Sequence, residues 1–166
     1  GVAKNVVEID LSSLYPMTIW MLNASPETKV PASEAEHRDN VAKAPNGVYY
    51  DLEEDGLFKS LVNDALELKQ TYKSDIHDAE PGSEEEEAAE ESYHVAKTIV
   101  NSIYGVTGYV YFFLYDQQVA ESITLMSQQV TRRTEKWVNE NTEAEVIYGD
   151  TDSCYISYPD DYDQYD

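Results

Sequence analysis

The sequence VIYGDTDSCYI at residues 146–156 is the most informative part of this chain for its architecture. Two β-rich runs, at 146–148 and 154–156, flank a turn that contains Asp150 and Asp152. Short β-branched and aromatic runs around a turn of Gly, Asp, Thr and Ser are typical of a β-hairpin. The sequence here therefore predicts two antiparallel strands whose bend presents two carboxylates.

A second acidic strand end occurs near the beginning of the chain, in VVEID at residues 6–10. Its β-branched apolar residues predict a buried strand with Asp10 at its tip, then a turn and a short helix from Met17 to Leu22. Carboxylates held close together repel each other unless a cation lies between them. Magnesium suits the role of this cation, since phosphoryl-transfer sites hold it with one or two carboxylates and substrate phosphates. In the alternative interpretation, Asp10 only caps the helix and the acids of the hairpin only form its turn.

Apolar residues recur at helical spacing in three further segments, which are 57–72, 95–103 and 119–138. Pro81, Gly82 and a run of glutamates separate the first two segments, which predicts an antiparallel helical hairpin with an acidic, solvated tip at 78–92. The third segment predicts a helix that packs on the sheet, and 23–47 is predicted to be an irregular surface connection. The expected fold class is α+β, with a small antiparallel sheet packed on helices and a projecting two-helix hairpin.

The net charge of −22 comes from 33 acidic and 11 basic residues among 166, and it argues at first against nucleic acid as a partner. Its distribution weakens that argument, because residues 78–91 contain eight acids, residues 160–166 contain four, and neither run has a Lys or Arg. An acidic excess over a whole surface is typical of proteins that work in concentrated salt. At 1 M salt, screening shortens the range of charge–charge interactions to about 3 Å. The charge therefore excludes no nucleic-acid function.

The chain is long enough for one domain with a sizeable core and too short for a multi-domain machine. No apolar run approaches the roughly 18 residues that a membrane span needs, so we expect no membrane partner. The single Cys154 excludes an internal disulfide framework and favours a reducing, intracellular setting. The first residues contain neither an initiator Met nor a signal-peptide pattern. We therefore interpret the chain as a piece of a larger protein.

Three blocks of sequence together resemble the polymerase signatures of family B DNA polymerases. In chain order, these blocks are DLSSLYP at 10–16, KTIVNSIYG at 97–105 and YGDTDS at 148–153. The resemblance covers nearly the whole chain and implies the palm and fingers core of such an enzyme, with an acidity that suggests a halophilic archaeal member. The parts that it implies are a first palm segment at 1–50, a fingers hairpin at 51–108 and a second palm segment at 109–166.

The resemblance implies a catalytic centre with two Mg²⁺ ions. Asp10 and Asp152 match the family's ligands of both metals, and Leu11 matches the residue whose backbone carbonyl is a further ligand. Asp150 matches a neighbouring catalytic carboxylate with a less direct role. Two such ions, about 3.5–4 Å apart, activate the attacking hydroxyl and stabilise the leaving oxygen.

The same blocks imply a site for the incoming nucleotide. Tyr15 matches the family's steric gate, whose ring would clash with a 2′-hydroxyl and so select deoxynucleotides. The backbone N–H groups of Ser13 and Leu14 would lie near the triphosphate. Lys97 and, one helical turn later, Asn101 match contacts to the incoming nucleotide.

Two lysines of the first hairpin helix, Lys69 and Lys73, match positions that contact the triphosphate. The family commonly has Arg at the first of them, and Lys lacks the bidentate grip of a guanidinium. Further residues match contacts to the template or to the nascent base pair, namely Tyr104, Gly105, Gly108 and Tyr109.

The resemblance as a whole implies a template-directed DNA polymerase that transfers nucleotides from dNTPs to a primer 3′-hydroxyl and releases pyrophosphate. Its partners would be primer–template DNA, dNTPs and, through regions outside this segment, a sliding clamp. Its location would be the cytoplasm, at the nucleoid, and we expect the isolated segment to be inactive. The alternatives are an inactive polymerase-derived scaffold, an acidic calcium-binding protein and another two-metal nucleotidyltransferase. Tyr15 is the residue that discriminates against an RNA-making enzyme.

Overall fold

The computed structural model of the chain describes residues 4–159. Its helices are α1 (Leu14–Leu22), α2 (Ala32–Ala35), α3 (Leu57–Asp78), α4 (Glu84–Thr107) and α5 (Gln117–Asn141). Its strands are β1 (Val6–Asp10), β2 (Lys29–Val30), β3 (Val41–Lys43), β4 (Tyr49–Asp51), β5 (Glu145–Asp150) and β6 (Ser153–Ser157). The acidic run at 160–166, which includes the end of the predicted second palm segment, lies outside the described residues.

The first sheet has three antiparallel strands in the order β1-β6-β5. The predicted hairpin over 146–156 is confirmed as β5 and β6, but β5 extends to Asp150, so only Asp152 of the two acids lies in the turn. Ser153 pairs with Asp10 on one side and with Asp150 on the other, so the acidic ends of β1 and β5 lie at one edge of the sheet. The predicted burial of the first strand is wrong. Every residue of β1 is exposed, because β1 is an outer strand and α5 packs chiefly on β5 and β6.

Helices α3 and α4 form the predicted antiparallel hairpin, but most of the acidic segment 78–92 is helical, since α4 begins at Glu84. The Ser83 side chain caps this helix end by accepting a hydrogen bond from the Glu86 N–H at 3.1 Å. The Glu86 carboxylate in turn accepts a hydrogen bond from the Gly82 N–H at 2.5 Å. The glutamates of the first turn also lie where the helix dipole favours negative charge, so this acidic sequence is stable as a helix.

Helix α1 begins at Leu14, earlier than the predicted start at Met17. Pro16 therefore lies inside the first turn of the helix. The backbone N–H groups of a first turn have no partner within the helix, so a proline costs no hydrogen bond there. The sequence signal of Pro16 marks the start of the helix only to within one turn.

Asn23 fixes the end of α1 through its buried side chain. The backbone of this residue has a left-handed φ of 52°. The amide nitrogen of this side chain donates to the Asp51 carbonyl oxygen at 2.6 Å and to the Glu54 carbonyl oxygen at 2.8 Å. Its Oδ1 atom accepts a hydrogen bond from the Gly56 N–H at 2.8 Å. One asparagine thus joins the end of α1 to the segment between β4 and α3.

Residues 23–47 are not the irregular connection that their prolines and glycine predict. They contain a 3₁₀ turn at Pro26–Thr28, the short helix α2, and strands β2 and β3, which pair on either side of β4 in a second antiparallel sheet. These strands are two or three residues long, too short for an alternating pattern to be visible in the sequence. The central Tyr50 is completely buried, and its hydroxyl donates to Ser122 Oγ of α5 at 2.8 Å.

The main core lies where α1, α3, α4 and α5 meet the second sheet. Its buried residues are Ile19, Leu22, Ala24, Ala44, Tyr50, Phe58, Val62, Ile103, Val119 and Ile123. A smaller core joins the end of α5 to the first sheet, as predicted for the third helix, and contains Val138, Ala144, Cys154 and Ile156. The predicted α+β class is confirmed. Among residues 4–159, no helix has the length and apolar character needed to cross a membrane.

Candidate active site

A cleft of about 390 Å³ opens between the tip of β1, the start of α1 and the helices α3 and α4. Predicted site residues that line it are Asp10, Ser13, Leu14, Tyr15, Lys69, Lys97, Asn101 and Asp152. These residues come from parts of the sequence as far apart as Asp10 and Asp152. The fold therefore brings the three sequence blocks together at one place.

Asp10 and Asp152 form the acidic side of the cleft. The Leu11 N–H donates to the Asp152 carbonyl oxygen at 2.7 Å, which ties the segment after β1 to the turn between β5 and β6. Asp150 lies at the end of β5, opposite Ser153, and lines an adjoining space of about 330 Å³. The acidic end of β1 and the turn after β5 thus meet at the cleft.

Two residues beside the acidic side have strained backbone conformations. Ser13 has a φ of 58° and Thr151 a φ of 35°, in the left-handed region that residues other than glycine rarely adopt. Thr151 is β-branched, which makes this conformation especially unfavourable. Such strain costs of order 1–3 kcal/mol, is concentrated at functional sites and persists only where the surrounding structure holds it.

The start of α1 forms the next part of the cleft. Ser13 precedes the helix, and its side chain makes no capping hydrogen bond. The first N–H groups of an α-helix have no partner within the helix and lie at the positive end of its dipole. Because Ser12 to Tyr15 line the cleft, this helix end adjoins a space that suits an anion such as phosphate.

Tyr15 stacks on Tyr104 of α4. The ring centroids are 4.3 Å apart and the ring planes differ by 13°. The Tyr104 hydroxyl is 3.0 Å from Thr124 Oγ1 of α5, which fixes the second ring against the first. Burial raises the pKa of Tyr15, and the nearby Tyr104 and Asp152 raise this pKa further. The Tyr15 hydroxyl therefore stays protonated at neutral pH.

The hairpin side of the cleft is basic. Lys69 of α3 and Lys97 of α4 line it, with Asn101 one turn after Lys97. Lys73, one turn after Lys69, lines an adjoining space of about 500 Å³. None of the three lysines forms an ion pair with a residue in the described range 4–159. An anion that enters the cleft therefore has no carboxylate of the described residues to displace from these lysines.

The remaining predicted contacts lie farther along the chain, around the end of α4. Gly105 is in the last turn of this helix, and Gly108 follows its last residue. Tyr109 is 57% exposed, and its ring contacts the Tyr111 ring with centroids 5.6 Å apart. None of Gly105, Gly108 and Tyr109 lines the cleft, so the structure leaves these three outside it.

Four residues that were not predicted as site residues also line the cleft, the polar Ser12 and Tyr93 and the apolar Pro16 and Val100. Tyr93 lies one helical turn before Lys97, and Asn101 lies one turn after it. Residues four apart share a face of a helix, so this spacing is a signal that places Tyr93 beside Lys97. Ser12 is inside the first sequence block and carries no signal beyond that position.

The donors on the acidic side of the cleft suit magnesium. This ion prefers oxygen ligands, keeps several waters and needs only one or two protein carboxylates when substrate phosphates complete its shell. Asp10 and Asp152 supply that number. Within the described part of the chain, no group of three or more His, Cys, Asp or Glu side chains is arranged to hold a metal by itself. The arrangement fits a metal that is bound together with a phosphorylated substrate.

Comparison with known proteins identifies relatives of this chain among archaeal polymerases. Residues 2–163 match the family model for DNA polymerase family B. DNA polymerase 2 of Aeropyrum pernix is 28% identical over 157 residues, which cover 94% of this chain and 19% of that protein. The DNA polymerase of Thermococcus gorgonarius is 30% identical over 159 residues, which cover 96% of this chain and 20% of that protein.

A solved structure shows the same arrangement of elements. The structure of the family B DNA polymerase from the hyperthermophilic archaeon Pyrobaculum calidifontis matches with a TM-score of 0.77 and 27% identity, over 93% of this chain and 20% of that one. The chain thus spans about a fifth of the length of the relatives that it matches. Because the family match covers nearly all of the sequence, this chain belongs to DNA polymerase family B.

Proposed function

We propose that this chain is the catalytic core of a template-directed DNA polymerase, which adds deoxynucleotides to a primer 3′-hydroxyl and releases pyrophosphate. One observation carries the proposal. Two carboxylates, Asp10 and Asp152, line the same cleft as Lys69 and Lys97, which have no ion-pair partner among the described residues. Carboxylates suit magnesium and lysines suit a triphosphate, so the cleft has the charges that a metal–nucleotide complex requires.

Asp10 and Asp152, with the backbone carbonyl of Leu11, would hold two Mg²⁺ ions, and Asp150 would add negative charge beside them. Bound magnesium would supply activation of the primer hydroxyl and neutralisation of charge on the leaving phosphates. The bond of 2.7 Å from the Leu11 N–H to the Asp152 carbonyl oxygen would keep the backbone that carries the two carboxylates in place before substrate arrives. Such preorganisation avoids the cost of reorienting charged groups during the reaction.

The hairpin residues would bind the triphosphate. Lys69 and Lys97 would contact phosphate oxygens from within the cleft, and Lys73 would reach them from the adjoining space. Asn101 would contact the same nucleotide, because it shares a helix face with Lys97. Movement of the hairpin towards the sheet would bring these side chains onto the phosphates and expel water. Because closure would require a correctly shaped base pair, it would couple template reading to chemistry.

The start of α1 would bind the sugar and the phosphates of the nucleotide. The N–H groups of Ser13 and Leu14 would donate to phosphate oxygens. The Tyr15 ring would lie under the sugar, and its stacking on Tyr104 would prevent it from moving aside for a 2′-hydroxyl. Ribonucleotides would therefore be rejected by a steric clash.

The wider organisation belongs to the same proposal. Its parts are a palm formed by 1–50 and 109–166 and fingers formed by 51–108. Gly105, Gly108 and Tyr109 would contact the template strand or the nascent base pair, together with Tyr104. Regions beyond this chain would bind further primer–template DNA and a sliding clamp. We place the enzyme at the nucleoid, in the cytoplasm of a halophilic archaeon, an origin that the net charge of −22 favours.

Primer extension by the full-length polymerase tests the proposal. Asp152→Ala should lower the rate of nucleotide incorporation by about 10³-fold or more, because a metal-holding carboxylate is lost. Asp39→Ala is the matched control, since Asp39 is an exposed carboxylate that does not line the cleft, and incorporation should be unchanged. Undiminished incorporation by a folded Asp152→Ala enzyme contradicts the metal role. A wild-type enzyme without activity favours the scaffold alternative.

Sugar selection tests the choice between DNA and RNA synthesis. Tyr15→Ala should raise ribonucleotide incorporation relative to deoxynucleotide incorporation by at least about tenfold, because the clash with the 2′-hydroxyl is removed. Tyr15→Phe keeps the ring and should leave the ratio unchanged. An unchanged ratio in Tyr15→Ala removes the gate assignment, and a wild-type enzyme that prefers ribonucleotides favours an RNA-making transferase.

A further inference from the structure

Where β5 joins β6, Asp150 ends the strand and Asp152 lies in the turn, on either side of a residue with a strained backbone. Thr151 lies between Asp150 and Asp152 with a φ of 35°, which a β-branched residue adopts only where its surroundings hold it. The Leu11 N–H holds one side of the turn, at the Asp152 carbonyl oxygen. The Thr151 hydroxyl donates to Asp150 Oδ1 at 3.1 Å, but this bond is internal to the turn and does not fix its position.

Thr131 of α5 holds the other side of the turn. Its hydroxyl is 3.1 Å from the Thr151 carbonyl oxygen and 3.2 Å from the Ser127 carbonyl oxygen, so it shares its single hydrogen between them. Thr131 is only 8% exposed, so water does not readily replace this bond. Among residues 4–159, no other side chain from outside the β5–β6 hairpin is hydrogen-bonded to residues 150–152.

The neighbouring turns of α5 also contact other elements. One turn before Thr131, the Ser127 Oγ atom makes a buried hydrogen bond of 2.9 Å with Thr18 Oγ1 of α1. One turn after it, Glu135 lies so close to Gly149 that a side chain at Gly149 would collide with the carboxylate. These three residues of α5 share one face of the helix. Helix α5 therefore supports both α1, which begins at the cleft, and the acidic turn.

We propose that Thr131 is a positioning residue for the catalytic carboxylates. By holding the Thr151 carbonyl oxygen, it keeps the turn in its strained conformation and so fixes where Asp150 and Asp152 lie. Thr131 acts through the turn, because it does not line the cleft and lies beside Asp150 at the adjoining space of about 330 Å³. The inference rests on the proposed function, since the position of these carboxylates matters to catalysis only if the cleft is the active site.

Hydrogen exchange in the full-length polymerase, without metal or nucleotide, tests the holding role. Thr131→Val keeps the shape of the side chain and removes the hydroxyl. The Leu11 amide, which is bonded to the turn, should then exchange about tenfold faster, and Thr131→Ser should restore slow exchange. Thr134→Val is the matched control, because the Thr134 hydroxyl donates only to the Val130 carbonyl oxygen of its own helix, at 3.1 Å. It should leave the Leu11 amide unchanged.

A magnesium titration of primer extension tests the catalytic consequence. Thr131→Val should need about tenfold more Mg²⁺ for half its maximal rate, as expected when a group that orients metal ligands is lost. Thr131→Ser and Thr134→Val should behave as the wild type.

Two results would overturn the proposal. One is unchanged Leu11 exchange in Thr131→Val, and the other is faster exchange with an unchanged Mg²⁺ requirement, which makes Thr131 a purely structural residue. If the amides of α3 also lose their protection from hydrogen exchange, Thr131→Val has unfolded. Thr131→Ala then replaces it in both experiments, with the same expected results. Failure of the proposed function would give a different result. Asp152→Ala would then retain nucleotide incorporation, while the Leu11 amide would still exchange faster in Thr131→Val.

Discussion

Replacing Asn23 with alanine should cost a large part of the stability of this chain. The Asn23 side chain is 0% exposed and makes three hydrogen bonds, of 2.6, 2.8 and 2.8 Å, to the segment between β4 and α3. Each bond contributes about 1 kcal/mol net, and a buried partner left without a hydrogen bond costs about 1–3 kcal/mol. Alanine at a left-handed position adds about 1–2 kcal/mol. We therefore expect a loss of about 4–6 kcal/mol, against a typical total of about 5–15 kcal/mol.

Urea denaturation, followed by far-ultraviolet circular dichroism, measures this loss as a fall in the free energy of unfolding. Asn23→Gly separates the two contributions, because glycine tolerates the left-handed backbone and should recover about 1 kcal/mol relative to alanine. Asn141→Ala is the matched control, since Asn141 is exposed and bonds only to the Trp137 carbonyl oxygen of its own helix, at 2.9 Å. It should change the free energy by less than about 0.5 kcal/mol.

A loss below about 1 kcal/mol in Asn23→Ala would refute this reasoning, because the lowest estimate for three hydrogen bonds already exceeds that value. The hydrogen exchange of the Gly56 amide gives an independent measurement at the same place. This N–H donates to Asn23 Oδ1, so its exchange should accelerate in Asn23→Ala before the rest of α3 loses protection.

Three further substitutions test other parts of the fold. Gly56→Ala would place a Cβ 2.7 Å from Thr28 Cγ2 at an ordinary φ of −70°, so urea denaturation should show a loss of about 1–3 kcal/mol from overpacking alone. An unchanged midpoint would contradict this. Burial raises the pKa of Tyr50 to about 12, so stability should fall as the pH rises from about 10 and the unfolded chain ionises. That fall should be smaller in Tyr50→Phe, which should also lose about 1 kcal/mol at neutral pH. Burial alone would raise the pKa of Asp116, but hydrogen bonds from Lys29 and the N–H groups of α5 outweigh it and lower the pKa. The ionised carboxylate therefore stabilises the native state at neutral pH, and this contribution is lost below about pH 4, so Asp116→Asn should flatten the acid limb of a plot of Tm against pH. An acid limb with the same slope in both proteins would contradict the assignment.

The elements that depend on neighbouring residues in the sequence were predictable, and the features that depend on contacts between distant segments were not. The hairpin around Asp150 and Asp152 needs only its own turn residues and flanking β-rich runs, and the structure has this hairpin with a shorter turn than predicted. The exposure of β1 depends on which neighbour covers it, and no pattern within Val6–Asp10 contains that information. The sheet built around Tyr50 has strands too short for any periodicity, so it is visible only once distant segments pair.

The candidate site divides in the same way. Asp10, Lys97 and Asp152 lie in sequence blocks that suggest their roles, and the fold brings them to one cleft. Thr131 lies in an ordinary helical stretch, and its contact with the acidic turn arises because α5 runs behind that turn. The stacking of Tyr15 on a ring of α4 is likewise a product of how α1 and α4 cross, which residue spacing within either helix does not reveal.

The two helices of the α3–α4 hairpin are packed against the rest of the described structure at one end only. Phe58, Val62, Val100 and Ile103 are buried near the base of the hairpin, whereas Ala89 is the buried residue of its outer half among those described. An outer half with so little interior has few contacts to lose when its length changes. Insertions and deletions near the tip should therefore destabilise this fold far less than those at the base, so the length of the hairpin can vary while its buried base stays intact.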